Sequence, residues 1–317
     1  MSLSVDVLDR GDRDAYLAGL ETAWPDWGGA DRWQWVYERR CGGPPADLLG
    51  IEEAGALIAG SAVTYRRLRI ASTSNEVLVG VMTGSWTVPA ARGRGAFGLM
   101  VRASQRTVTG RGGALLLAFV TAANPSARRL ASEGAAMWPS AYLIGDGTGP
   151  VGEEAAAPPE VGTIDELRDR SWGRCTRVAY TAEEFADQFL GRPESTSPAV
   201  VAGAPAVLER VPGFLRVSAL AAPDGALVDV YGAVRALAGS EGSQAFAYTT
   251  DERAAARAEV AGMRRMPGSL ALIGCHPDRL REAFAAPAAW TGDNRALLDP
   301  ASPWYVGPVR MDSGDRV

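Results

Sequence analysis

A turn rich in glycine and arginine lies between an apolar, strand-like run and an amphipathic, helix-like run at residues 88–98. When such a turn opens a helix, its backbone N–H groups lie at the positive end of the helix dipole, where a pyrophosphate binds well. Glycine lets an anion approach the main chain because it has no Cβ, and arginine adds positive charge. The pattern therefore predicts a phosphate-binding turn. Its residues are Val88, Arg92, Gly93, Arg94, Gly95, Ala96, Phe97 and Gly98.

This turn differs from the common nucleotide-binding motifs. It lacks the GxxxxGK-Ser/Thr sequence of the P-loop, it follows a strand meander instead of the first strand, and Val88-Pro89 precedes it. These differences argue against an NTPase and against a dinucleotide-binding fold. On these residues alone, a solvated strand-to-helix turn that carries arginines by chance is an alternative.

The residue types exclude several mechanisms. All 32 basic side chains are arginine, which excludes a lysine nucleophile or a lysine Schiff base. His276 is the only histidine, so a Ser-His-Asp triad or a multi-histidine metal centre could be built only around that position. Cys41, Cys175 and Cys275 are odd in number and far apart, which argues against a disulfide framework and a zinc site. We expect no bound metal.

The elements that must position the turn follow from the apolar periodicity of the first half. Short apolar runs alternate with helical patterns, in an order that reads as an antiparallel meander followed by a βαβ unit. The predicted strands are 5–8, 48–52, 56–69, 77–88, 114–120 and 138–144, and the predicted helices are 13–23, 33–40, 97–110 and 126–133. The sequence therefore predicts a mixed α/β domain.

A stretch dense in Gly, Pro and Ala, without apolar periodicity, follows at 145–162 and is typical of an interdomain linker. We predict a first domain at 1–146, a linker at 147–163 and a second domain at 164–317. The second half shows similar α/β alternation. Its predicted strands are 199–208, 214–220, 226–236, 245–249, 270–274 and 304–311, and its predicted helices are 181–190, 252–263 and 278–285.

The net charge of −5 disfavours a polyanionic partner such as DNA or RNA and suits a cationic or amine substrate better. No window of about 20 apolar residues appears, and the first ten residues lack the basic-then-apolar pattern of a signal sequence. We therefore expect a cytoplasmic protein with no membrane or nucleic-acid partner. A homodimer is left open.

The turn resembles the acyl-CoA loop of the GNAT N-acyltransferase family. That loop reads Arg or Gln, two residues of any kind, Gly, one residue of any kind, then Gly or Ala, after the fourth strand. Arg92 and Gly95 match its first and fourth positions, and Phe97 stands at the sixth. The resemblance spans residues 5–144, with its specific part at 77–134. Within the family, the sequence looks most like the two-domain branch that is similar to the enhanced-intracellular-survival acetyltransferases.

The resemblance implies a GNAT fold, an α/β fold in which an antiparallel meander forms part of a mixed sheet. A second, degenerate GNAT-like domain would follow, and it would not bind CoA because no counterpart of the Arg92 turn occurs after residue 161. Downstream of the turn, Asn124 and Ser126 resemble residues that contact the CoA arm. On local grounds Asn124 reads equally well as a helix N-cap.

The resemblance also implies direct attack of an amine on the thioester of acetyl-CoA or another acyl-CoA, with backbone donors at Trp86, Thr87 and Val88 polarising its carbonyl. Thr83 and Ser85 could orient water, but neither can act as a base near neutral pH. No general base is identified. The candidates are Glu38, Glu52 and Glu76, each of which also reads as a solvated surface charge.

An aromatic and acidic group lies on the helical segment that lines the acceptor side in that fold. An amine or amino sugar could stack on its indoles and pair with its carboxylate. A packed helical corner with buried indoles is an equally good interpretation. The residues are Trp24, Asp26, Trp27, Trp33 and Tyr37.

Three functions are therefore compared. The first is an N-acyltransferase that moves an acetyl or short acyl group to a small-molecule amine, such as an amino sugar, an amino acid or an antibiotic-like metabolite. The second is a non-catalytic acyl-CoA-binding or interaction module. The third is a transferase that uses an aminoacyl-tRNA donor, which the acidic charge disfavours.

Replacing Gly95 with Asp tests the phosphate-binding prediction, because the new carboxylate would lie against the phosphates. We expect Gly95→Asp to weaken CoA binding in a calorimetric titration. Unchanged affinity would count against the predicted turn.

Overall fold

The structure is a computed structural model that describes residues 3–9, 12–25, 27–147 and 160–316. Two compact units interleave along the chain: the first comprises Met1–Val120, Asn124–Met137 and Leu270–Val306, and the second Thr121–Ala123, Trp138–Ser269 and Gly307–Val317. The domain limits predicted above are contiguous and stay a prediction. Of the predicted linker, residues 148–159 lie outside the described part of the chain.

The first unit holds the predicted meander. Its strands are β1 (Asp6–Val7), β2 (Asp47–Glu53), β3 (Ala56–Arg69), β4 (Glu76–Thr87) and β5 (Leu115–Thr121), and its first helices are α1 (Arg13–Ala23), α2 (Gly29–Trp33), α3 (Ala96–Gly110) and α4 (Pro125–Ser132). These strands lie in the order β1-β2-β3-β4-β5. The pairs from β1 to β4 are antiparallel, whereas β4 and β5 are parallel and are connected through α3.

Helix α3 covers this sheet because its apolar residues recur at helical spacing. Met100, Val101 and Val108 are fully buried in a core that also includes Val63 of β3 and Leu116 of β5. Two further elements run across the unit boundary, β6 (Ala136–Gly145) and, later in the chain, β12 (Arg264–Gly274). The C-terminal part of β12 belongs to the first unit, as does the last helix, α9 (Pro277–Phe284).

The second unit has a similar succession of elements. Its helices are α5 (Val161–Trp172), α6 (Ala182–Leu190), α7 (Leu227–Ser240) and α8 (Glu252–Val260), and its strands are β7 (Arg177–Ala179), β8 (Ser195–Val201), β9 (Ala204–Val211), β10 (Phe214–Leu220) and β11 (Gln244–Thr249). The strands β6, β11, β10, β9 and β8 are neighbours in that order. The pair β10–β11 is parallel and is connected through α7, which repeats the β4-α3-β5 arrangement.

Three predictions for the second unit are wrong in their details. The predicted strand at 226–236 is helix α7, because Leu227, Val230, Tyr231 and Val234 form one buried helical face. The single strand predicted at 199–208 is a hairpin of β8 and β9, whose turn has positive φ angles at Ala202 and Gly203. The closing strand predicted at 304–311 is irregular and makes only isolated bridges.

The first unit shows a smaller difference. The predicted helix 33–40 begins earlier, as α2, and ends in a π-helical turn at Gln34–Glu38. Among the described residues, no helix combines the length and the apolar composition needed to cross a membrane.

A buried arginine holds the second unit's carboxylates together. Arg168 of α5 is fully buried and lies 3.2 Å from Asp165, 3.5 Å from Asp315 and 3.9 Å from Asp312. Burial raises the pKa of Asp165 to about 6 and that of Asp312 to about 7, and the Arg168 charge opposes both shifts. Losing the guanidinium would leave buried carboxylates without their cation.

We predict that Arg168→Met lowers the free energy of unfolding by about 3–5 kcal/mol, as breaking a buried ion pair does. The raised pKa values mean that the folded state holds protons that the unfolded chain has released, so stability falls as pH rises from about 4 to 7. The loss caused by Arg168→Met should therefore be larger at pH 8 than at pH 5 in denaturant unfolding.

The control is Arg210→Met, which removes an exposed guanidinium 2.7 Å from Glu241 in the same unit. Exposed pairs contribute at most about 1 kcal/mol. Equal losses in the two variants would contradict the role assigned to Arg168.

Candidate functional site

Strand β4 carries a bulge near its C-terminal end. Thr83 is opposite Ala62 of β3 and Trp86 is opposite Gly60, so β4 has one extra residue between these pairs. Gly84 within the bulge has a φ of +57°, and a Cβ there would lie 2.5 Å from the Tyr37 hydroxyl. Both the backbone angle and the available space require glycine at this position. The bulge is therefore encoded by Gly84.

The strands β4 and β5 separate just beyond this level. Their pairing runs from Val79–Leu115 to Val81–Leu117 and ends there, although β4 continues to Thr87 and β5 to Thr121. One edge of the last residues of β4 is therefore free of its parallel neighbour. An extended ligand could take hydrogen bonds from that edge in place of a strand.

The predicted phosphate-binding turn begins directly after β4. A short 3-10 turn, Pro89–Ala91, is closed by the bonds from Ala91 N to Val88 O (3.0 Å) and from Arg92 N to Pro89 O (3.3 Å). The Arg92 side chain donates from Nε to the Thr87 carbonyl at 3.3 Å. These bonds fix the direction in which the chain leaves the sheet.

Two glycines then turn the chain into α3. Gly93 and Gly95 have φ angles of +79° and +83°, and a Cβ at either position would meet no atom within 4 Å. Gly95 caps α3 without a side-chain hydrogen bond. The amide groups of residues 93–98 have no hydrogen-bond acceptor among the described residues. The turn therefore offers several free donors at a helix N-terminus beside open space, and this arrangement fits a pyrophosphate.

The two arginines of the turn have different surroundings. Arg94 makes a two-pronged ion pair with Glu53 of β2, at 2.5 and 2.8 Å, and this contact lowers the pKa of Glu53. Arg92 is exposed, and among the described residues its side chain contacts only the Thr87 carbonyl. Arg92 is therefore the turn's arginine whose charge is available to an anion.

Phe97 and Gly98 lie in the first turn of α3, directly after the glycine-rich turn. Phe97 is half-buried and packs against the core of the first unit, so its bulk at the sixth motif position does not cover the free amides. A Cβ on Gly98 would lie 2.5 Å from Oε1 of Glu133, which follows α4 and also binds Arg102 at 2.6 Å. The small residue at 98 thus lets α4 pack against α3. Val88 and Ala96 flank the turn, and Ala96 is buried.

Asn124 forms the N-cap of α4. Its side-chain oxygen accepts from Ser126 N at 2.9 Å, with Pro125 at the first helical position. The structure thus realises the N-cap interpretation that the sequence left open, and a contact of Asn124 or Ser126 with a cofactor stays a prediction.

The four residues predicted to act in catalysis lie together around the bulge. The Ser85 hydroxyl is 2.8 Å from that of Ser61, and the Thr83 hydroxyl donates to the Val81 carbonyl at 3.2 Å. Trp86 is 4 % exposed, and Thr87 is half-buried at the end of β4. The hydroxyls are held by neighbouring strands, which suits positioning and not proton transfer. Their catalytic role stays a prediction.

The candidate bases do not all lie near the bulge. Glu76 begins β4 and pairs with Arg69 at 2.8 Å, eight residues before Gly84, which is about 27 Å along a strand. Glu38 accepts from Trp33 Nε1 at 2.9 Å and lies 3.5 Å from Arg13, whereas Glu52 is exposed on β2.

The aromatic residues predicted on the acceptor side form a packed group, except Trp24, which is exposed. Tyr37 stacks on Trp27 with ring centroids 5.6 Å apart and meets Trp33 edge-on at 4.9 Å. Trp33 and Tyr37 are buried, Trp27 is half-buried, and Trp24 is 50 % exposed at the C-cap of α1. Asp26 lies outside the described residues.

Sequence reasoning missed Tyr16 of α1, which links this group to the bulge. Its fully buried ring meets Tyr37 at 6.0 Å and Trp86 at 5.7 Å, both edge-on. Tyr16 Oη, Tyr37 Oη and Trp86 Nε1 are buried and lie close to one another, but among the described residues none of them makes a hydrogen bond of standard geometry. Burial raises the pKa of both tyrosines well above the ordinary value, so each stays a neutral hydroxyl. The helical spacing of Tyr16 and Leu20 was the signal that could have identified it.

In the regions that the structure describes, no three His, Cys, Asp or Glu side chains are grouped as a metal site would require. The three cysteines are free thiols, of which Cys41 and Cys175 are buried.

No protein-family model and no curated protein matches the sequence. Solved structures do match. A GCN5-related N-acetyltransferase from Kribbella flavida has a TM-score of 0.58 at 15 % identity, over 89 % of this chain and 73 % of that chain. A GCN5-related N-acetyltransferase from Anabaena variabilis has a TM-score of 0.60 at 12 % identity, over 89 % of this chain and 75 % of that chain. Eis1 from Mycobacterium abscessus has a TM-score of 0.45 at 17 % identity, over 77 % of this chain and 65 % of that chain.

The chain has the GNAT fold. The predicted fold class is thus confirmed, and the likeness to the Kribbella and Anabaena structures extends over most of both units, since 89 % of the chain is covered. In the GNAT fold of this chain, the bulge, the separated strands and the phosphate-type turn succeed one another along β4 and α3.

The bulge gives a test of how tightly this site is built. Gly84→Ala should lower the free energy of unfolding by at least about 2 kcal/mol, because strain at positive φ adds to the clash with Tyr37. Gly55→Ala is the matched control: its φ is +79° with no atom within 4 Å, so it should cost only about 1 kcal/mol. Similar losses in denaturant unfolding would mean that Gly84 is not held against Tyr37.

Proposed function

We propose that this protein is an N-acyltransferase that uses acetyl-CoA or another short acyl-CoA and acylates the amine of a small molecule. The observation that carries the proposal is the row of free amides at residues 93–98, placed where β4 and β5 separate. Arg94 and the two glycines are exposed, so their amides are open to an incoming anion, and the first amides of α3 have no intrahelical acceptor.

Each part of the cofactor has a matching part of the site. The free amides and Arg92 would hold the pyrophosphate, and the unpaired edge of β4 from Thr83 to Thr87 would hold the pantetheine arm. Bound acyl-CoA supplies the thioester that the acceptor amine attacks. The chain's own contribution is to align that thioester with the bulge and to keep water from the buried side of Trp86.

The acceptor would approach from the side of α1 and α2. Trp27, stacked on Tyr37, and the exposed Trp24 offer apolar faces to the carbon part of an amine or amino sugar. Tyr37 and Tyr16 hydroxyls, both neutral, can donate hydrogen bonds but cannot remove the ammonium proton. We propose that the proton leaves through water.

This proton route predicts how the rate depends on pH. With water as the proton acceptor, kcat/KM should rise with pH until the acceptor amine itself is neutral. Two acceptors whose pKa values differ by about two units should give inflections that differ by the same amount. A common inflection near pH 6–7 for both acceptors would contradict this route and reveal an enzyme base.

Activity is tested by release of free CoA thiol from acetyl-CoA over a panel of amino sugars, amino acids and aminoglycoside-like amines. We expect at least one acceptor to be turned over. Arg92→Ala should raise the KM for acetyl-CoA about 10- to 100-fold, as loss of a charge-assisted phosphate contact does. Arg94→Ala is the control, since Arg94 is already neutralised by Glu53 and should change the KM less.

Binding of acetyl-CoA with no thiol release from any acceptor would favour the acyl-CoA-binding module instead. No binding of CoA at all would contradict both functions and leave a donor such as aminoacyl-tRNA to be tested.

A further inference from the structure

Two serine hydroxyls meet across the bulge of β4. The pairing of β3 with β4 leaves Ser61 alone opposite the two bulge residues, Gly84 and Ser85. The Oγ atoms of Ser61 and Ser85 are 2.8 Å apart, which is the usual length of a hydrogen bond between hydroxyls. Within the described residues, neither hydroxyl makes another hydrogen bond. The two serines therefore depend on each other for their hydrogen bonding inside the protein.

Burial decides which of the two hydroxyls donates. Ser61 is fully buried, whereas Ser85 is half-buried. If Ser85 donated its proton to Ser61, the Ser61 proton would be buried and no described residue would accept it, which is unfavourable. Ser61 therefore donates to Ser85. The Ser85 proton is then left for a partner outside the described chain.

The other hydroxyls near the bulge have acceptors within the two strands. Thr83 donates to the Val81 carbonyl at 3.2 Å, and the buried Thr64 lies 3.4 Å from both that carbonyl and the Thr83 hydroxyl. These protons are used inside the sheet. Ser85 differs from both threonines, because its proton has no acceptor among the described residues of the strands.

Ser85 also lies where the proposed ligand would be bound. It belongs to the stretch of β4 between Thr83 and Thr87, which β5 no longer pairs with. The hydrogen bond that its oxygen accepts from Ser61 polarises its own O–H bond and makes it a better donor. A half-buried, oriented donor therefore borders the strand edge that the acyl-pantetheine arm would follow.

We propose that Ser85 is a catalytic hydrogen-bond donor to the carbonyl oxygen of the acyl group, and that Ser61 is the positioning residue that orients it. This inference rests on the proposed acyltransferase function, which places the thioester at the bulge. It assigns to one side chain a task that the resemblance to the GNAT family gives to backbone amides.

The chemistry of the transfer explains why such a donor matters. The acceptor nitrogen forms a bond to the acyl carbon, and the carbonyl oxygen takes the π electron pair and becomes negative. That pair re-forms the carbonyl as the C–S bond breaks and the thiolate leaves, while the nitrogen loses one proton to water. A hydroxyl aimed at the oxygen binds it more strongly when it is negative, so the donor lowers the barrier more than it strengthens binding.

The first test compares Ser85→Ala with Ser85→Thr, which keeps a hydroxyl, in the thiol-release assay with an acceptor that the unchanged protein turns over. We expect Ser85→Ala to lower kcat about 10- to 100-fold and to raise the KM for acetyl-CoA no more than about threefold. Ser85→Thr should keep at least about a third of kcat. A kcat of Ser85→Ala within about twofold of the unchanged value would overturn the proposal.

Ser61→Ala tests the positioning role. We expect kcat to fall about three- to tenfold, and the double variant to be no slower than Ser85→Ala, because Ser61 acts only through Ser85. The control is Ser240→Ala in α7, which removes an exposed hydroxyl bonded to the Leu237 carbonyl at 2.8 Å and should leave kcat unchanged. Losses that multiply in the double variant would contradict orientation by Ser61.

Calorimetric titration with acetyl-CoA and with CoA, which lacks the acyl carbonyl, separates this inference from the proposed function. Ser85→Ala should weaken acetyl-CoA about threefold and leave CoA unchanged. Equal weakening of both would place the contact on the pantetheine arm and overturn the proposal. Should no acceptor be turned over, this comparison decides alone. If the unchanged protein binds neither compound, the proposed function itself fails; if it binds both and Ser85→Ala binds each equally well, only the role of Ser85 fails.

Discussion

The pairing of β4 with β5 stops after three residue pairs, and the whole candidate site depends on that separation. A parallel strand pair that continued to Thr87 would use the backbone groups that a cofactor needs. The bulge at Gly84 also contributes to this separation, because it bends β4 near the residues where its pairing with β5 ends. Helix α3 then begins with amides at residues 96–98 that no residue of the described chain accepts.

The two units show two uses of one arrangement. In the first, glycines at positive φ and Arg92, which has no ion pair among the described residues, leave the gap suited to an anion. In the second, Asp312 of the C-terminal segment lies at the ends of β10 and β11, and Asp224 stands in the connection to the helix. The strand-helix-strand unit is therefore kept in both units, while the side chains at the strand ends differ.

Much of the first unit could be predicted from the sequence, because long apolar runs and one glycine-rich turn define β3, β4 and α3 to within a residue or two. What could not be predicted depends on tertiary contacts. The pairing of Arg94 with Glu53 joins residues far apart in the chain, and the position of Tyr16 against Trp86 depends on how α1 packs on the sheet. The segment that forms helix α7 contains β-branched residues, which are typical of strands, yet the spacing of its apolar residues buries one helical face.

The most direct measurement of the central claim is a crystal structure with desulfo-CoA bound. The account predicts pyrophosphate oxygens within hydrogen-bond distance of the amides between Gly93 and Gly98, and a pantetheine arm along the free edge of β4. A ligand bound elsewhere, with those amides still facing solvent, would contradict it.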